Sequence, residues 1–350
     1  MSTRIIKVEN ENFTISLPKS DLLSIIEFYK ISSLNLVGSK ILITGATGFV
    51  ASHLVDALHM LNAELNLGIE IYLNSRNLSR YAQQISQDKK VKNPFLVEGN
   101  IAEVRLPRVE FSHVIHAATP TIHNLRTNEI ADIEKASVDG LSNIMSQVIL
   151  LNKEVRILNL SSGAADINVE VNGKETSSLQ SVYGRAKFAS EKILESGHSG
   201  EVPHGINARL FAFYGPRLPL GDHYAIGNFM RDAWIGNQIK VNGSGESIRS
   251  YMHTTDLTSK LLYLICQGDA GTFNIGSSVG HTIKYWAELI SNHFDVPLLM
   301  QGAGNTRETT YVSPLEQRIP VGPNENSSFV SLLESWYRWI DVNFKKSDFS

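Results

Sequence analysis

Tyr183 and Lys187 stand four residues apart in Tyr183-Gly184-Arg185-Ala186-Lys187, ahead of Phe188-Ala189-Ser190-Glu191-Lys192-Ile193-Leu194. The stretch has helical apolar spacing, and a separation of four puts the phenol and the ammonium on one helix face. A free tyrosine titrates near pH ~10, too high for a general base at neutrality. A neighbouring ammonium favours the phenolate, which gives Tyr183 a route to acid/base chemistry. Alone, this spacing is common and usually marks a solvated helix face. A second set of hydroxyls lies in Leu158-Asn159-Leu160-Ser161-Ser162-Gly163-Ala164, at the end of a strand predicted over Arg156 to Leu160. Ser162 is the choice for a hydroxyl that bonds a reacting oxygen. Ser161 stays open as a neighbouring substrate contact, and the plain role for either is a cap or turn.

Such groups need a reaction partner held beside them. Lys40-Ile41-Leu42-Ile43-Thr44 reads as a buried strand running into Gly45-Ala46-Thr47-Gly48-Phe49-Val50-Ala51, a glycine turn that opens a helix. Gly45, Gly48 and Ala51 fill the three small-residue positions of a dinucleotide fingerprint. The first permits the tight turn, the second lets backbone approach a pyrophosphate, and the third packs helix on strand. The helix start then offers free N–H groups to the phosphates. Thr47, Phe49 and Val50 belong to the same cofactor-binding turn. The next strand ends in Ile71-Tyr72-Leu73-Asn74-Ser75-Arg76-Asn77, without a carboxylate to hold ribose hydroxyls. Arg76 is placed to meet a 2′-phosphate, with Arg80 nearby, so NADP(H) is preferred and NAD(H) stays possible.

Further strands are predicted at Glu70 to Leu73, Phe95 to Glu98 and His113 to His116, and a helix over Ile130 to Leu150. Apolar runs alternating with helices imply an α/β fold, a doubly wound parallel sheet of the Rossmann kind. Residues 1–37 read as an N-terminal helical extension, with apolar spacing from Asp21 to Tyr29. Residues 38–208 read as the dinucleotide domain. Residues 209–350, richer in Gly, Pro and aromatics, read as a smaller, partly interleaved C-terminal α/β substrate lobe. A chain of 350 residues with a net charge of -3 has no general attraction for nucleic acid or anionic membrane. The single cysteine, Cys266, excludes a disulfide framework and a multi-cysteine zinc site. His113, His116 and His123 lack ligand partners at metal spacing, so no metal is expected. No apolar run reaches membrane-spanning length, and a cytoplasmic setting is expected.

Val114-Ile115-His116-Ala117-Ala118, Arg209-Leu210-Phe211-Ala212-Phe213-Tyr214-Gly215-Pro216-Arg217, Gly243-Ser244-Gly245, Arg249-Ser250-Tyr251 with Asp256, and Phe273-Asn274-Ile275-Gly276 accompany the turn, the serines and the Tyr/Lys pair. In this order they resemble the extended short-chain dehydrogenases, in particular the nucleotide-sugar epimerase, dehydratase and reductase group, over roughly residues 38 to 340. The resemblance implies a Rossmann domain with a nucleotide-sugar lobe, and commonly a homodimer. It implies Ser162, Tyr183 and Lys187 as catalytic, with Tyr183 and Lys187 also contacting the cofactor and Lys187 holding the nicotinamide ribose. Asn100 and Ile101 fall beside the adenine, where the family often has an Asp. Ala117 and Ala118 are further cofactor contacts, and Asn228 and Arg249 match residues that contact the substrate diphosphate. Family dehydratases and decarboxylases carry a carboxylic acid just after the catalytic Ser or Thr. Gly163 and Ala164 occupy those positions and cannot move a proton. What remains is reduction of a C4 ketone or 4-epimerisation with retained NAD, and Arg76 favours NADPH-dependent reduction. A non-catalytic dinucleotide sensor or scaffold is the reading from another class, disfavoured by the presence of both Tyr183 and Lys187.

Overall fold

Short apolar strands form the centre of an eight-stranded sheet in the computed structural model, which describes residues 4–7, 17–78, 94–119, 130–165, 179–197, 204–221, 224–302 and 308–349. The strand order is β1 (Arg4–Lys7), β4 (Phe95–Glu98), β3 (Glu70–Ser75), β2 (Lys40–Thr44), β5 (His113–His116), β6 (Arg156–Ser162), β7 (His204–Leu210) and β11 (Gly271–Ile275). Seven strands run parallel, and β1 joins antiparallel at the β4 edge. Side chains of a strand alternate between its faces. Ile41 and Ile43 of β2 therefore enter one core and Leu42 the other, as do Leu158 and Leu160 against Ile157 in β6. The first face is covered by α1 (Lys19–Ile31), α2 (Phe49–Leu65) and α6 (Thr254–Gln267). The second is covered by α3 (Ile130–Leu151) and α4 (Leu179–Ser196). Strands buried on both faces read as near-continuous apolar runs, which is why β2 to β6 were visible in the sequence, whereas β1, β7 and β11 were not predicted.

A second core joins α5 (Ala225–Ile235), α7 (Ile283–Phe294), α8 (Phe329–Asn343) and β9 (Ile239–Val241) around buried Trp234, Trp336 and Trp339. A small sheet beside it has β10 (Ile248–His253) between β12 (Gly280–Thr282) and β14 (Thr310–Tyr311), with β8 (Ala212–Tyr214) also paired to β10. Between β10 and β11 the chain returns to the first core as α6, and it leaves again after β11.

Residues 1–37 are not a helical extension alone, because Arg4–Lys7 adds the edge strand β1. Four residues paired with a strand far along the chain leave no local period to read. Helix α1 docks by apolar contacts and by a buried polar cluster. Asp21 is 6% exposed, and Ser20 Oγ donates to its Oδ1 at 3.3 Å. Burial pushes the Asp21 carboxyl up to about 6 and that of nearby Asp256 up to about 7. The Leu17 N–H donates to Asp56 Oδ2 at 3.4 Å, and Arg217 Nη2 pairs with the same oxygen at 2.6 Å. Among the described residues no helix is long and apolar enough to cross a membrane.

Candidate active site

The carboxyl ends of the parallel strands bring the predicted groups to one edge of the sheet. Thr44 closes β2, and Gly45 follows at φ 61°, a left-handed conformation that favours glycine. A Cβ on Gly45 would lie 2.8 Å from the Ala118 backbone, so only glycine lets the two turns approach this closely. Thr44 Oγ1 accepts from the N–H groups of Ala117 and Ala118 at 3.1 and 3.3 Å, which fixes that approach. Helix α2 starts after Gly48 with no side chain capping it, leaving its first N–H groups for a ligand. Thr47 Oγ1 and Ser75 Oγ lie 3.1 Å apart, tying the turn to the end of β3. Phe49 and Val50 are half-buried in the first turn of α2, and Phe49 packs against both cores.

Arg76 is exposed immediately after β3, whereas Arg80 lies outside the described residues, as does His123. The buried Asn74 amide donates to Val97 O and Gly99 O at 2.9 and 3.2 Å, closing the strand end where a carboxylate was absent. Asn100 is exposed, and its Oδ1 accepts from Ala102 N–H at 3.2 Å. The neighbouring Ile101 packs against Gly140 of α3.

Ser162 ends β6, and Gly163–Ala165 follows as a single tight helical turn. Gly184 in α4 packs directly on Ala164 O, where any Cβ would collide. That close approach sets Tyr183 on the side of Ser162, whose hydroxyl acts to favour its phenolate. Lys187, one helical turn on, is buried with Nζ 5.7 Å from the centre of the Tyr183 ring. It donates to Leu160 O at 2.7 Å and to Thr119 Oγ1 at 2.9 Å. Burial pushes Lys187 down to about 8, opposed by the Glu191 carboxylate.

Burial opposes the phenolate that the ammonium and an oxidised nicotinamide were together expected to favour, and holds the Tyr183 phenol well above its ordinary value, with Tyr311 and Tyr224 adding to it. The ammonium is committed to Leu160 O and Thr119, beside the ring rather than at its oxygen. Ser161 is not a substrate contact. Its hydroxyl is buried and donates to Glu191 Oε1 at 2.5 Å, and Glu191 pairs with Arg209 at 2.8 Å. Alternation along β6 turns Ser162 to the site and Ser161 into this ion pair.

Arg249 on β10 donates from Nη1 to Ile248 O and Thr309 O at 2.7 and 2.8 Å, and from Nη2 to Thr309 Oγ1 at 2.8 Å. Its Cα partner across the β10–β14 pair is Tyr311. Asn228 lies one turn into α5 from Tyr224, where its Oδ1 accepts from Arg231 at 3.3 Å. Sequence reasoning missed Thr44, Thr119 and Tyr311. Thr44 carried a signal, as the last strand residue before the glycine turn. Tyr311 carried none, because its strand has two residues and its site partner lies 149 residues earlier. Among the described residues no group of three metal-type ligands occurs.

A sequence model of the NAD dependent epimerase/dehydratase family matches residues 41–276. UDP-glucuronic acid decarboxylase 1 of Xenopus tropicalis is 26% identical over 259 residues, which cover 72% of this chain and 59% of that protein. UDP-glucuronic acid decarboxylase 6 of Arabidopsis thaliana is 27% identical over 271 residues, covering 72% of this chain and 73% of that one. The chain thus spans about three fifths of the length of the frog relative. An epimerase from Methanothermobacter thermautotrophicus has the same fold, with a TM-score of 0.69 at 20% identity over 91% of this chain and 96% of its own. UDP-glucose 4-epimerase of Thermotoga maritima superposes with a TM-score of 0.68 at 19% identity, over 87% and 100%.

Proposed function

The chain belongs to the NAD-dependent epimerase/dehydratase family, and on that premise we propose that it reduces the C4 ketone of a nucleotide-linked 4-keto or 4-keto-6-deoxy sugar with NADPH. The observation that carries this reading is the wall beside Ser162. A Cβ at Gly163 would lie 2.6 Å from the Phe211 ring, so an aromatic occupies the space an acidic side chain at 163 would need. Chemistry beyond C4, such as dehydration or decarboxylation, therefore lacks a proton carrier at positions 163 and 164, although the curated relatives named above are decarboxylases. Reduction needs one proton donor, and Tyr183, whose phenol is held well above its ordinary value, is suited to that task.

A bound nicotinamide supplies the hydride. Gly45, Thr47, Gly48, Phe49 and Val50 would hold its pyrophosphate side, Asn100 and Ile101 its adenine, Ala117 and Ala118 the strand-end backbone, and Lys187 its ribose. Arg76 supports NADP(H), since it offers a guanidinium and no carboxylate follows β3. Ser162 orients the ketone oxygen, and Tyr183 gives that oxygen its proton. Lys187 lies beside the phenolate so formed and, at about 8, is near enough to neutrality to share in returning a proton. Arg249 and Asn228 would meet the diphosphate. A second copy of the chain would complete the homodimer that the resemblance implies.

Epimerisation at C4 with retained NAD is the second reading, favoured by the fold shared with a UDP-glucose 4-epimerase and by the family's NAD dependence. Incubation with dTDP- and UDP-linked 4-keto-6-deoxy sugars and NADPH separates them. Loss of the reduced-nicotinamide absorbance supports reduction. Interconversion of UDP-sugars without added cofactor overturns it in favour of epimerisation.

A further inference from the structure

We propose that Glu191 is a positioning residue of this site: its carboxylate locks helix α4 at one register on β6 and so holds Lys187 and Tyr183 at the strand end. The inference rests on the reading of those two residues as the catalytic pair. Its ground is the contrast between two helices that cover the same face of the same sheet. Helix α3 meets that face with Leu141, Ile144, Met145 and Val148, all buried and all apolar. Helix α4 meets it with Lys187, Ser190, Glu191 and Leu194, which share one side of the helix. All four are buried, and only Leu194 is apolar. The strands opposite are polar as well. Asn159 and Ser161 of β6 pair in register with Asn207 and Arg209 of β7. Ser161 Oγ donates to Glu191 Oε1 at 2.5 Å. Arg209 donates from Nε to Oε1 at 3.0 Å and from Nη2 to Oε2 at 2.8 Å. Asn159 Nδ2 donates to Asn207 Oδ1 at 2.9 Å, and Asn207 Nδ2 donates to Glu191 O at 3.4 Å.

A buried carboxylate is a poor source of stability, because its desolvation takes back most of the attraction of its partner. Apolar residues of similar volume hold a fold as well or better. What the carboxylate adds is direction. Apolar attraction is non-directional, so an apolar helix face can shift along a sheet at small cost. A carboxylate that accepts from two strands at once meets its hydrogen-bond geometry at one helix position. Lys187 stands one turn before Glu191 and donates to Leu160 O at 2.7 Å. Leu160 and Ser161 are neighbours on β6, so the two side chains hold consecutive strand residues. Tyr183 lies one further turn along the same helix. A slide of α4 would move Tyr183 and Lys187 together, and one carboxylate therefore sets both.

The test replaces the polar lock by apolar residues of similar volume, with Ser161→Ala, Glu191→Met and Arg209→Met in one chain. Neither the hydroxyl nor the guanidinium is then left without its acceptor. The urea midpoint of this triple variant should equal or exceed that of the wild type. Its affinity for NADPH, read by fluorescence titration, should still fall about tenfold or more, because Lys187 is no longer held where it would bond the nicotinamide ribose. A folded triple variant that binds NADPH within about twofold of the wild type overturns the proposal. If the triple variant does not fold, two single variants decide. Glu191→Gln keeps the reach of the side chain and can still accept from Ser161. Glu191→Asp keeps the charge and is one methylene short. NADPH affinity should be higher with Gln than with Asp. Equal affinities or the reverse order overturn the proposal, since a group that matters only for its charge is best replaced by Asp. Where the wild type prefers NADH, the same comparisons are read with NADH. A wild type that binds neither dinucleotide overturns the lock and the proposed function together. No sugar is needed, so a failure to reduce any 4-keto sugar sinks the proposed function alone and leaves this result standing.

Discussion

Replacing Asp21 with Asn should stabilise the protein at pH 8 and do progressively less as pH falls. Asp21 is 6% exposed, and burial pushes its carboxyl from an ordinary 3.8 up to about 6. The folded state therefore holds a proton that the unfolded chain releases earlier. Stability from this group is complete below 3.8, falls as pH rises toward 6, and is lost above that. At roughly 1.4 kcal/mol per pH unit, ionising Asp21 costs about 3 kcal/mol at pH 8 and about half of that at pH 5. Asn mimics the protonated carboxyl and still accepts from Ser20. Asp256, raised to about 7 partly by Asp21, gains in the same direction when that charge is removed. With an unfolding entropy of about 2.1 cal/mol/K per residue, 3 kcal/mol corresponds to a rise in Tm of roughly 4 °C for a chain of this length. Differential scanning calorimetry of both proteins at pH 5, 6, 7 and 8 measures it. A Tm difference that does not grow with pH, or a less stable Asn variant at pH 8, would refute the reasoning.

Arg76→Ala should weaken NADPH binding about tenfold or more while leaving NADH within about twofold, since a charged hydrogen bond to phosphate is worth roughly 1.5–3 kcal/mol; an equal loss for both cofactors in fluorescence titrations would remove Arg76 from the site. Glu191→Ala removes a buried carboxylate that pairs with Arg209 and accepts from the buried Ser161 hydroxyl, at a cost of about 3–5 kcal/mol. Urea unfolding at pH 7 reads this, and a loss below about 1 kcal/mol would contradict it. Gly184→Ala sets a methyl against Ala164 O and should push α4 off the strand end, costing about 1–3 kcal/mol. Since misplacement by about 1 Å can cost 10²-fold in rate, turnover should fall more steeply than stability in the same variant.

The sheet was legible because parallel strands covered on both sides keep apolar residues almost without interruption, as in Lys40–Thr44 and Arg156–Ser162. The glycine turn and the Tyr183/Lys187 spacing were legible because local backbone needs dictate local residue types. Between Ser161 and Ser162 the sequence could say only that one faces the site, since adjacent strand residues point opposite ways. Choosing required Glu191 and Arg209, which arrive from α4 and β7. The surroundings of Lys187 were hidden for a related reason. Four-residue spacing reports that an ammonium is near, but not that Leu160 O and Thr119 have already engaged it. Tyr311 and β1 lay beyond reach, because each gains its meaning only from a partner far along the chain.

The return of α6 and β11 to the first core has a practical consequence. Cutting the chain after Leu210 would strip the large sheet of its last parallel strand and uncover the helix layer where Leu257, Leu261 and Leu264 now lie. The amino-terminal fragment would then carry a bare apolar face and an open strand edge, a recipe for self-association. The two halves of this molecule share a hydrophobic core and one sheet.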